Sequence, residues 1–469
     1  MEGQTAYVAL GSNVGGRLRM IEMACNAMES SGDIRIESTS CLWETKAMYV
    51  EDQPDFLNGV CKIKTTLDPQ ALLDRLQSIE KGLGRQKIID KGPRNIDLDI
   101  ILFGDRIVDT ERLRIPHALM LEREFVLRPL CQVNPEGHIP GFPRENVEQQ
   151  LLRLSNSPDE SSELPMFTKA ELRPNMAPLT PLSPFKKTHI MSILNVTPDS
   201  FSDGGVHRPL DKGYLRELIL EHYKAGATIL DIGGQSSRPS APSVTAEEEL
   251  SRILPAIEVA TEMGIDMAIS VDTYRASVAE AAIGAGAHII NDISAGMLDP
   301  EMLPTIARLG CSVILMHMRG TPETMMSKEN TTYHGDLVHS ILAEIQTRVQ
   351  AAEAAGIRRW RMILDPGIGF AKNQSQNLEI LRRFNEFQSH SAEPFSHLFR
   401  GMPWMIGTSR KAFIGHVTDV PEPRDRTWGT AATVTAAVRG GVDIVRVHDV
   451  NEMVKVVRMA DAIYRTSRN

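Results

Sequence analysis

Between His189 and Val450 one pattern recurs eight times: a short apolar run ending in polar or glycine-containing residues, then a stretch with helical spacing. The runs are HIMSILNVTPDS, ATILDIGGQSSRP, DMAISVDT, AHIINDISAG, CSVILMHMRG, RMILDPGIGF, PWMIGTSRK and DIVRVHDV. Uninterrupted Ile, Val, Leu and Met suit strands buried on both faces, as parallel sheets provide. Eight strand-and-helix units in about 280 residues is the size of a TIM (β/α)8 barrel. An open doubly wound sheet would carry a GxGxxG turn after its first strand, and this chain does not. The expected class for this part is therefore α/β, as a closed barrel.

The first third is built differently. TAYVALGSN reads as a strand ending in a glycine turn, and Leu18–Glu29 has helical apolar spacing. Phe56–Ile63 alternates like a strand, and Pro69–Glu80 is an amphipathic helix opened by Asp68-Pro69. Asn95–Phe103 is again a strand. Strands and helices alternate with no regular βα period, which predicts an α+β ferredoxin-like sandwich. Between the two parts the composition changes: SNSPDESSELP and RPNMAPLTPLSPF are rich in proline, serine and acid. Such sequence lacks the apolar periodicity of a packed core and predicts a surface linker. The expected division is 1–145, a linker over 146–185, and a barrel over 186–469.

Charge narrows the partners. The net charge is -9, with no Lys/Arg-rich run, which argues against nucleic acid while leaving room for a local cationic pocket. No apolar run approaches the ~18 residues of a membrane span. The five cysteines, Cys25, Cys41, Cys61, Cys131 and Cys311, are odd in number and form no CxxC pair. That pattern predicts reduced thiols rather than disulfides or a zinc site. MEGQTAYVALGSN has neither a signal peptide's apolar core nor an Arg-rich transit pattern. The cytoplasm is the expected compartment, and the mitochondrion the alternative if a presequence was trimmed.

The sharpest feature of the first third is Asn95-Ile96-Asp97-Leu98-Asp99-Ile100. On a strand the two carboxylates point the same way, roughly 7 Å apart, while Ile96, Leu98 and Ile100 turn to the core. Such a pair suits two hard cations such as Mg²⁺, which neutralise polyphosphate oxygens, although any solvated strand face can also read DxD. Arg85, Lys87, Lys91 and Arg94 crowd the loop before the strand, and His117 and Arg123 follow it. Cations beside a metal-binding acidic pair are what a nucleoside triphosphate needs. GxxxxGK followed by Ser or Thr is absent, which excludes a P-loop enzyme.

With ALGSNVGGR, DQPDFLNGV, GPRNIDLDIILFG and IPHALMLEREFVLRPL, about residues 5–140 resemble the 6-hydroxymethyl-7,8-dihydropterin pyrophosphokinases. The resemblance implies transfer of the β,γ-pyrophosphoryl group of ATP to a pterin hydroxymethyl group. It implies that Asp97 and Asp99 hold two Mg²⁺, with Arg85 and Arg94 catalytic. Thr45, Phe56, Asn58 and Phe125 would line the pterin pocket. Gln77, Glu80, Arg85, Lys87, Arg94, His117 and Arg123 would contact ATP. Two positions depart from the family pattern: Lys91 stands where some relatives have an aromatic, and Ala118 where many have Tyr.

In a TIM barrel the active site lies at the C-terminal ends of the strands. There the runs carry Asn195, Asp231, Asp272, Asn291-Asp292, His317, Asp365, Ser409-Arg410-Lys411 and Arg446 with His448. Polar residues cap strands routinely, but eight such ends around one mouth form a constellation. Asp272, Asn291 and Asp365 offer donors and acceptors for an amino-pyrimidinone edge, and Lys411 a donor for a ring carbonyl or nitrogen. Arg446 could stack on a flat ring and, with His448 and Asn195, reach a diphosphate. NVTPDSFSDGG and GGQSSRPS are candidate lids.

LNVTPDSFSDGG, DIGGQSSRP, SVDTYRASVAEAA, NDISAG, LMHMRGTP, DPGIGFAK, GTSRKAFIG and RVHDV resemble dihydropteroate synthases across about residues 187–469. That implies condensation of the pterin diphosphate with p-aminobenzoate and release of pyrophosphate. By position, Asn195 holds one Mg²⁺ on the diphosphate, and Lys411 and Arg446 are catalytic. Asp231, Ser237, Asp272, Asn291, Met316, Asp365, Lys411, Arg446 and His448 would bind the pterin and its diphosphate. Phe201, Arg238, Pro239, Phe370 and Ser409 would shape the aminobenzoate pocket. Ser237 replaces a Thr common in the family and keeps its hydroxyl.

The two resemblances imply consecutive steps of folate synthesis on small-molecule substrates, with a homodimer through the barrel and neither nucleic acid nor membrane as partner. A pterin-binding methyltransferase would share the pterin-holding groups, but a corrinoid DxHxxG motif is missing. A non-catalytic pterin sensor would have lost groups such as Asp97, Asp99, Asn195 and Lys411, all of which are present.

Overall fold

The computed structural model describes residues 3–48, 52–85, 92–155, 166–197, 202–203, 206–207, 211–235, 244–388 and 397–465. They form two compact units, Met1–Lys169 with Arg358–Trp360, and Ala170–Ile357 with Arg361–Asn469.

In the first unit β1 (Gln4–Ser12) lies between β4 (Phe56–Thr65) and β5 (Asp97–Phe103), antiparallel to both. β2 (Ile34–Thr39) and β3 (Leu42–Thr45) pair with the outer side of β4. α1 (Arg17–Glu29) joins β1 to β2, and α2 (Pro69–Gly82) joins β4 to β5. This is the split βαβ arrangement the sequence predicts. The Asp68 side chain caps α2 by accepting from the Ala71 N–H, with Pro69 in the first turn, where no N–H is needed. Alternation along β1 sorts the core. Ala6, Val8 and Leu10 pack with α1 and α2, together with Leu98 and Ile100 of β5. Tyr7 and Ile101 pack on the opposite face with α3 (Glu124–Val133). Asp97 and Asp99 therefore share the α3 face with Ile101.

The stretch 146–185 is not the bare linker expected. α4 (Val147–Ser155) buries Val147 and Leu151 in the α3 core, and β6 (Phe167–Lys169) extends the sheet by pairing with β3. Beyond it, Ala170 and Leu179 pair through backbone hydrogen bonds of 3.1 and 2.7 Å. Ala170, Leu172 and Leu179 then plug the N-terminal end of the barrel. Proline rigidity takes the place of periodicity here, so a few leucines among prolines suffice to seat the segment. SNSPDESSELP lies almost wholly outside the described residues. Leu179→Ala is expected to cost about 3 kcal/mol of barrel stability, read as a lower denaturant midpoint at unchanged slope.

The barrel strands are β7 (His189–Asn195), β8 (Ile229–Gly233), β9 (Ala268–Asp272), β10 (Ile289–Asp292), β11 (Ser312–Met316), β12 (Met362–Asp365), β13 (Met405–Ile406) and β14 (Ile444–Val447). All pairings are parallel, in the order β12-β11-β10-β9-β8-β7-β14-β13, and a Leu364–Trp404 bridge closes the ring. All eight predicted strands are present. One residue per strand builds the lowest inner layer: Met191, Ile229, Ala268, Ile289, Ile314, Ile363, Met405 and Ile444. Two residues onward a strand points the same way again. There the inner face changes character, to Ile193, Asp231, Ser270, Asn291, Met316, Asp365, Gly407 and Arg446. Two further on come Asn195, Gly233, Asp272, Ser409 and His448. The barrel is greasy at its base and polar at its mouth.

Candidate active sites

In the first unit β1 places Gly11 opposite Asp97 and, on its other side, opposite Asn58. A Cβ at Gly11 would lie 3.3 Å from Asn58 Oδ1 and 3.6 Å from Asp97 Cβ, so glycine keeps this floor open. Above it is a cavity of about 280 Å³, lined by Thr45, Phe56, Asn58, Arg85, Arg94, Asp97, Asp99, His117, Arg123 and Phe125. Ten of the predicted residues thus converge. Arg85 and Arg94 donate to the two oxygens of Asp97, at 2.7 and 2.6 Å. Burial, and then the negative charges of Asp97 and Glu80, push Asp99 up to about 7. A divalent cation would relieve that repulsion, and hard carboxylate oxygens beside room for phosphates fit Mg²⁺. The Arg94 guanidinium lies 5.6 Å from the Phe56 ring centre, and that of Arg123 5.7 Å from Phe125. Asn58 donates to the Thr45 hydroxyl at 2.8 Å. Burial, and then Arg123, hold His117 below its ordinary pKa.

Two predicted ATP contacts sit elsewhere. Glu80 is buried behind the cavity, where it accepts the Leu98 N–H at 2.7 Å and pairs with Arg85. Gln77 is exposed on α2, within 3.4 Å of Arg112. Lys87 and Lys91 fall outside the described residues, and Ala118 is exposed.

Sequence reasoning passed over Asn13. It is 2% exposed; its Oδ1 accepts the Arg94 N–H at 2.8 Å, and its Nδ2 donates to Gln53 and to the Pro54 carbonyl at 3.1 and 3.0 Å. It ties the Arg94 backbone to the segment before Phe56. The only signal was an amide directly after a strand, in LGSN. Asn13→Ala is expected to lower the pyrophosphoryl transfer that the resemblance implies about tenfold, read by AMP release, and to lower the melting temperature by a few degrees.

At the barrel mouth Asp231 is wholly buried. It accepts from Ser270 Oγ (2.6 Å), Asn291 Nδ2 (3.1 Å) and Arg446 Nε (2.6 Å). Arg446 reaches Asp272 through Nη2, at 2.7 Å. Burial raises Asp272 to about 7 against the pull of Arg446. Asp365 accepts the Gly367 N–H at 2.7 Å, and burial raises its pKa too. Lys411 donates to the Ile368 carbonyl and lies 4.6 Å from the Phe370 ring centre. Burial lowers its pKa to about 8. Ser409 Oγ sits 3.0 Å from His448 Nδ1. Met316 is buried on the adjoining strand, and Asn195 closes β7. Asn195 offers one neutral oxygen, so a magnesium ion there would need diphosphate and water for its other ligands. Ser270 and the buried Lys372 were not foreseen; Ser270 lies two residues before Asp272 on the same inner face. Asp292 spends its carboxylate on the Ser294 and Gly296 N–H groups, a local cap. Phe201, Ser237, Arg238 and Pro239 fall outside the described residues.

Both units have relatives among known proteins. Residues 7–135 match the family model of 7,8-dihydro-6-hydroxymethylpterin-pyrophosphokinase, and residues 191–448 that of pterin binding enzymes. The Folic acid synthesis protein fol1 of Pneumocystis carinii is 44% identical over 99% of this chain. The chain spans only 60% of that relative's length, and also 60% of a second curated relative. The mitochondrial Folate synthesis bifunctional protein of Arabidopsis thaliana is 38% identical over 98% of this chain and 83% of its own. The crystal structure of Plasmodium falciparum HPPK-DHPS with pteroate shares the fold at a TM-score of 0.81 and 22% identity, covering 99% of this chain and 98% of that one. Among the described residues no helix is long and apolar enough to cross a membrane. The chain therefore belongs to the bifunctional folate synthesis family, with a pyrophosphokinase unit preceding a pterin-binding barrel.

Proposed function

We propose that the chain pyrophosphorylates 6-hydroxymethyl-7,8-dihydropterin and then condenses the product with p-aminobenzoate to 7,8-dihydropteroate. The observation that carries this reading is the pairing, on one chain, of an acidic, arginine-flanked cavity with a barrel mouth where Arg446 links Asp231 to Asp272.

In the first unit Phe56 and Phe125 hold the flat ring, while Asn58 and Thr45 meet its polar edge. Arg85, Arg94, Arg123 and His117 take the phosphates of ATP. The hydroxymethyl oxygen attacks the β-phosphorus, the bond from that phosphorus to the bridging α-oxygen breaks, AMP leaves, and the hydroxyl proton is lost. Two Mg²⁺ held by Asp97 and Asp99 would supply charge neutralisation at the transferring group.

At the barrel mouth Asp231, Asp272, Asn291 and Asp365 read the amino-pyrimidinone edge, Met316 lines the ring, and Arg446 stacks on it. Lys411 donates to the ring. Asn195, Ser237, Arg446 and His448 hold the diphosphate, and Asn195 would hold one Mg²⁺, which would supply charge neutralisation to the leaving group. The bond from methylene carbon to diphosphate oxygen breaks, the ring delocalises the cation, and the aniline nitrogen adds and loses a proton. Phe201, Arg238, Pro239, Phe370 and Ser409 place that amine within bonding distance.

The reading extends to a homodimer through the barrel in the cytoplasm, on small-molecule substrates alone; the Arabidopsis relative's name makes the mitochondrion the competing compartment. The decisive experiment supplies ATP, hydroxymethyldihydropterin and p-aminobenzoate. AMP must appear with the pterin, and pyrophosphate only once the aminobenzoate is added. AMP without pyrophosphate would leave the barrel a binding module or a methyltransferase. Light scattering at the monomer mass would end the dimer assignment.

A further inference from the structure

The loop Asp365–Ala371 carries Phe370 into the barrel mouth, and two consecutive carbonyls of that loop are held from one side by arms that start from a single carboxylate. Glu344, on α5 (Leu337–Ala354), accepts from His317 Nε2 at 3.0 Å. The opposite ring nitrogen, Nδ1, lies 2.9 Å from Lys372 Nζ, and Lys372 Nζ donates to the Phe370 carbonyl at 3.0 Å. The second arm runs from Glu344 to Arg319, which lies 3.8 Å over the Tyr333 ring; the Tyr333 hydroxyl donates to the Ala371 carbonyl at 3.1 Å.

The first arm fixes its own chemistry. With Glu344 accepting at Nε2, His317 keeps a proton there and offers a lone pair at Nδ1 to Lys372. Burial, and then the Lys372 charge, hold His317 down to about 4, so the ring is neutral at physiological pH. Lys372 is 1% exposed and lies beneath the loop, and burial brings its pKa down to about 7. Charged or neutral, its nitrogen retains enough N–H bonds to serve both partners. A buried lysine is costly unless its geometry is used, and here it is spent on the backbone of the residue whose ring packs against Lys411.

We propose that Lys372, with Tyr333 on the parallel arm, is a positioning residue that sets the Phe370 wall against which the amine substrate is placed. This deepens the synthase reading and rests on it. Neither residue touches a substrate; both act through the Phe370–Ala371 backbone. The effect should therefore fall first on the amine, because most groups assigned to the pterin diphosphate stand on the strand ends, with Lys411 reaching the loop at the Ile368 carbonyl.

The test is steady-state synthase kinetics on the full chain, with each substrate varied in turn. Lys372→Met keeps the volume and removes the donors. It should raise the KM for p-aminobenzoate about tenfold and move that for the pterin diphosphate less than about twofold. Tyr333→Phe removes one hydroxyl and should shift the same constant about threefold. If Lys372→Met fails to fold, Tyr333→Phe decides alone. Equal rises in both KM values, as a general loosening would give, overturn the inference, as does an unchanged aminobenzoate KM in a folded variant. A wild-type chain that forms no dihydropteroate overturns the synthase reading, and the inference with it.

Discussion

Asp97→Ala is expected to lower pyrophosphoryl transfer by about 10³-fold while leaving condensation of supplied pterin diphosphate unchanged. The reason is convergence on one carboxylate. Asp97 takes Arg85 on one oxygen and Arg94 on the other. Without it, two guanidinium groups lose their shared anchor, and Asp99 is left as the lone strand carboxylate for the proposed metal. Asp97→Asn separates charge from shape: it keeps the volume and one acceptor, and it should still lose about 10²-fold. AMP release measures both variants. The condensation assay on the same preparations checks that the chain is folded. A tenfold loss or less for the alanine variant would remove Asp97 from the proposed metal site.

The second large effect belongs to Lys411, and activity and stability should move in opposite directions. Lys411→Met is expected to lower condensation about 10³-fold, because the cation that faces Phe370 and, in the proposed reading, the pterin ring is gone. Its folded pKa of about 8 lies below its ordinary value of 10.5. Between those two values the unfolded chain binds more protons than the folded one, so stability rises with pH across that window. Below it the buried ammonium is a constant cost. Removing the charge should leave the melting temperature at pH 7 equal or higher. In the wild type, condensation that needs the ammonium should be full below about pH 8 and fall above it. A variant that lost activity and melted well below the wild type would point to misfolding rather than lost chemistry.

The barrel was legible because each strand is buried on both faces, so the sequence must spell eight near-continuous apolar runs. The site was legible for the same reason. Once a strand's inner residues are fixed, every second position faces the mouth, and Asp231, Asn291, Asp365 and Arg446 fall there. Asp97 and Asp99 were readable by the same alternation on β5. Connections between distant elements were not readable. Nothing in LMHMRG says that His317 and Arg319 meet Glu344 on α5, since that contact depends on how a helix docks on a strand end. Asn13 escaped because a polar residue in a turn usually faces water, whereas this one bonds to three backbone or side-chain partners. The leucines of 170–179 escaped because their partners are contributed one by one from eight strands, leaving no local period. Residues 86–91, 198–201 and 236–243 carry five of the expected contacts and fall outside the described structure.

The strict two-residue step from the barrel's greasy base to its polar mouth acts like a reading frame. Deleting one residue between Ile229 and Asp231 would turn the carboxylate toward the helices and aim Ile232 at the substrate. Inherited change in such a protein should therefore accumulate as swaps within strands, and as gained or lost residues only in the segments that join them.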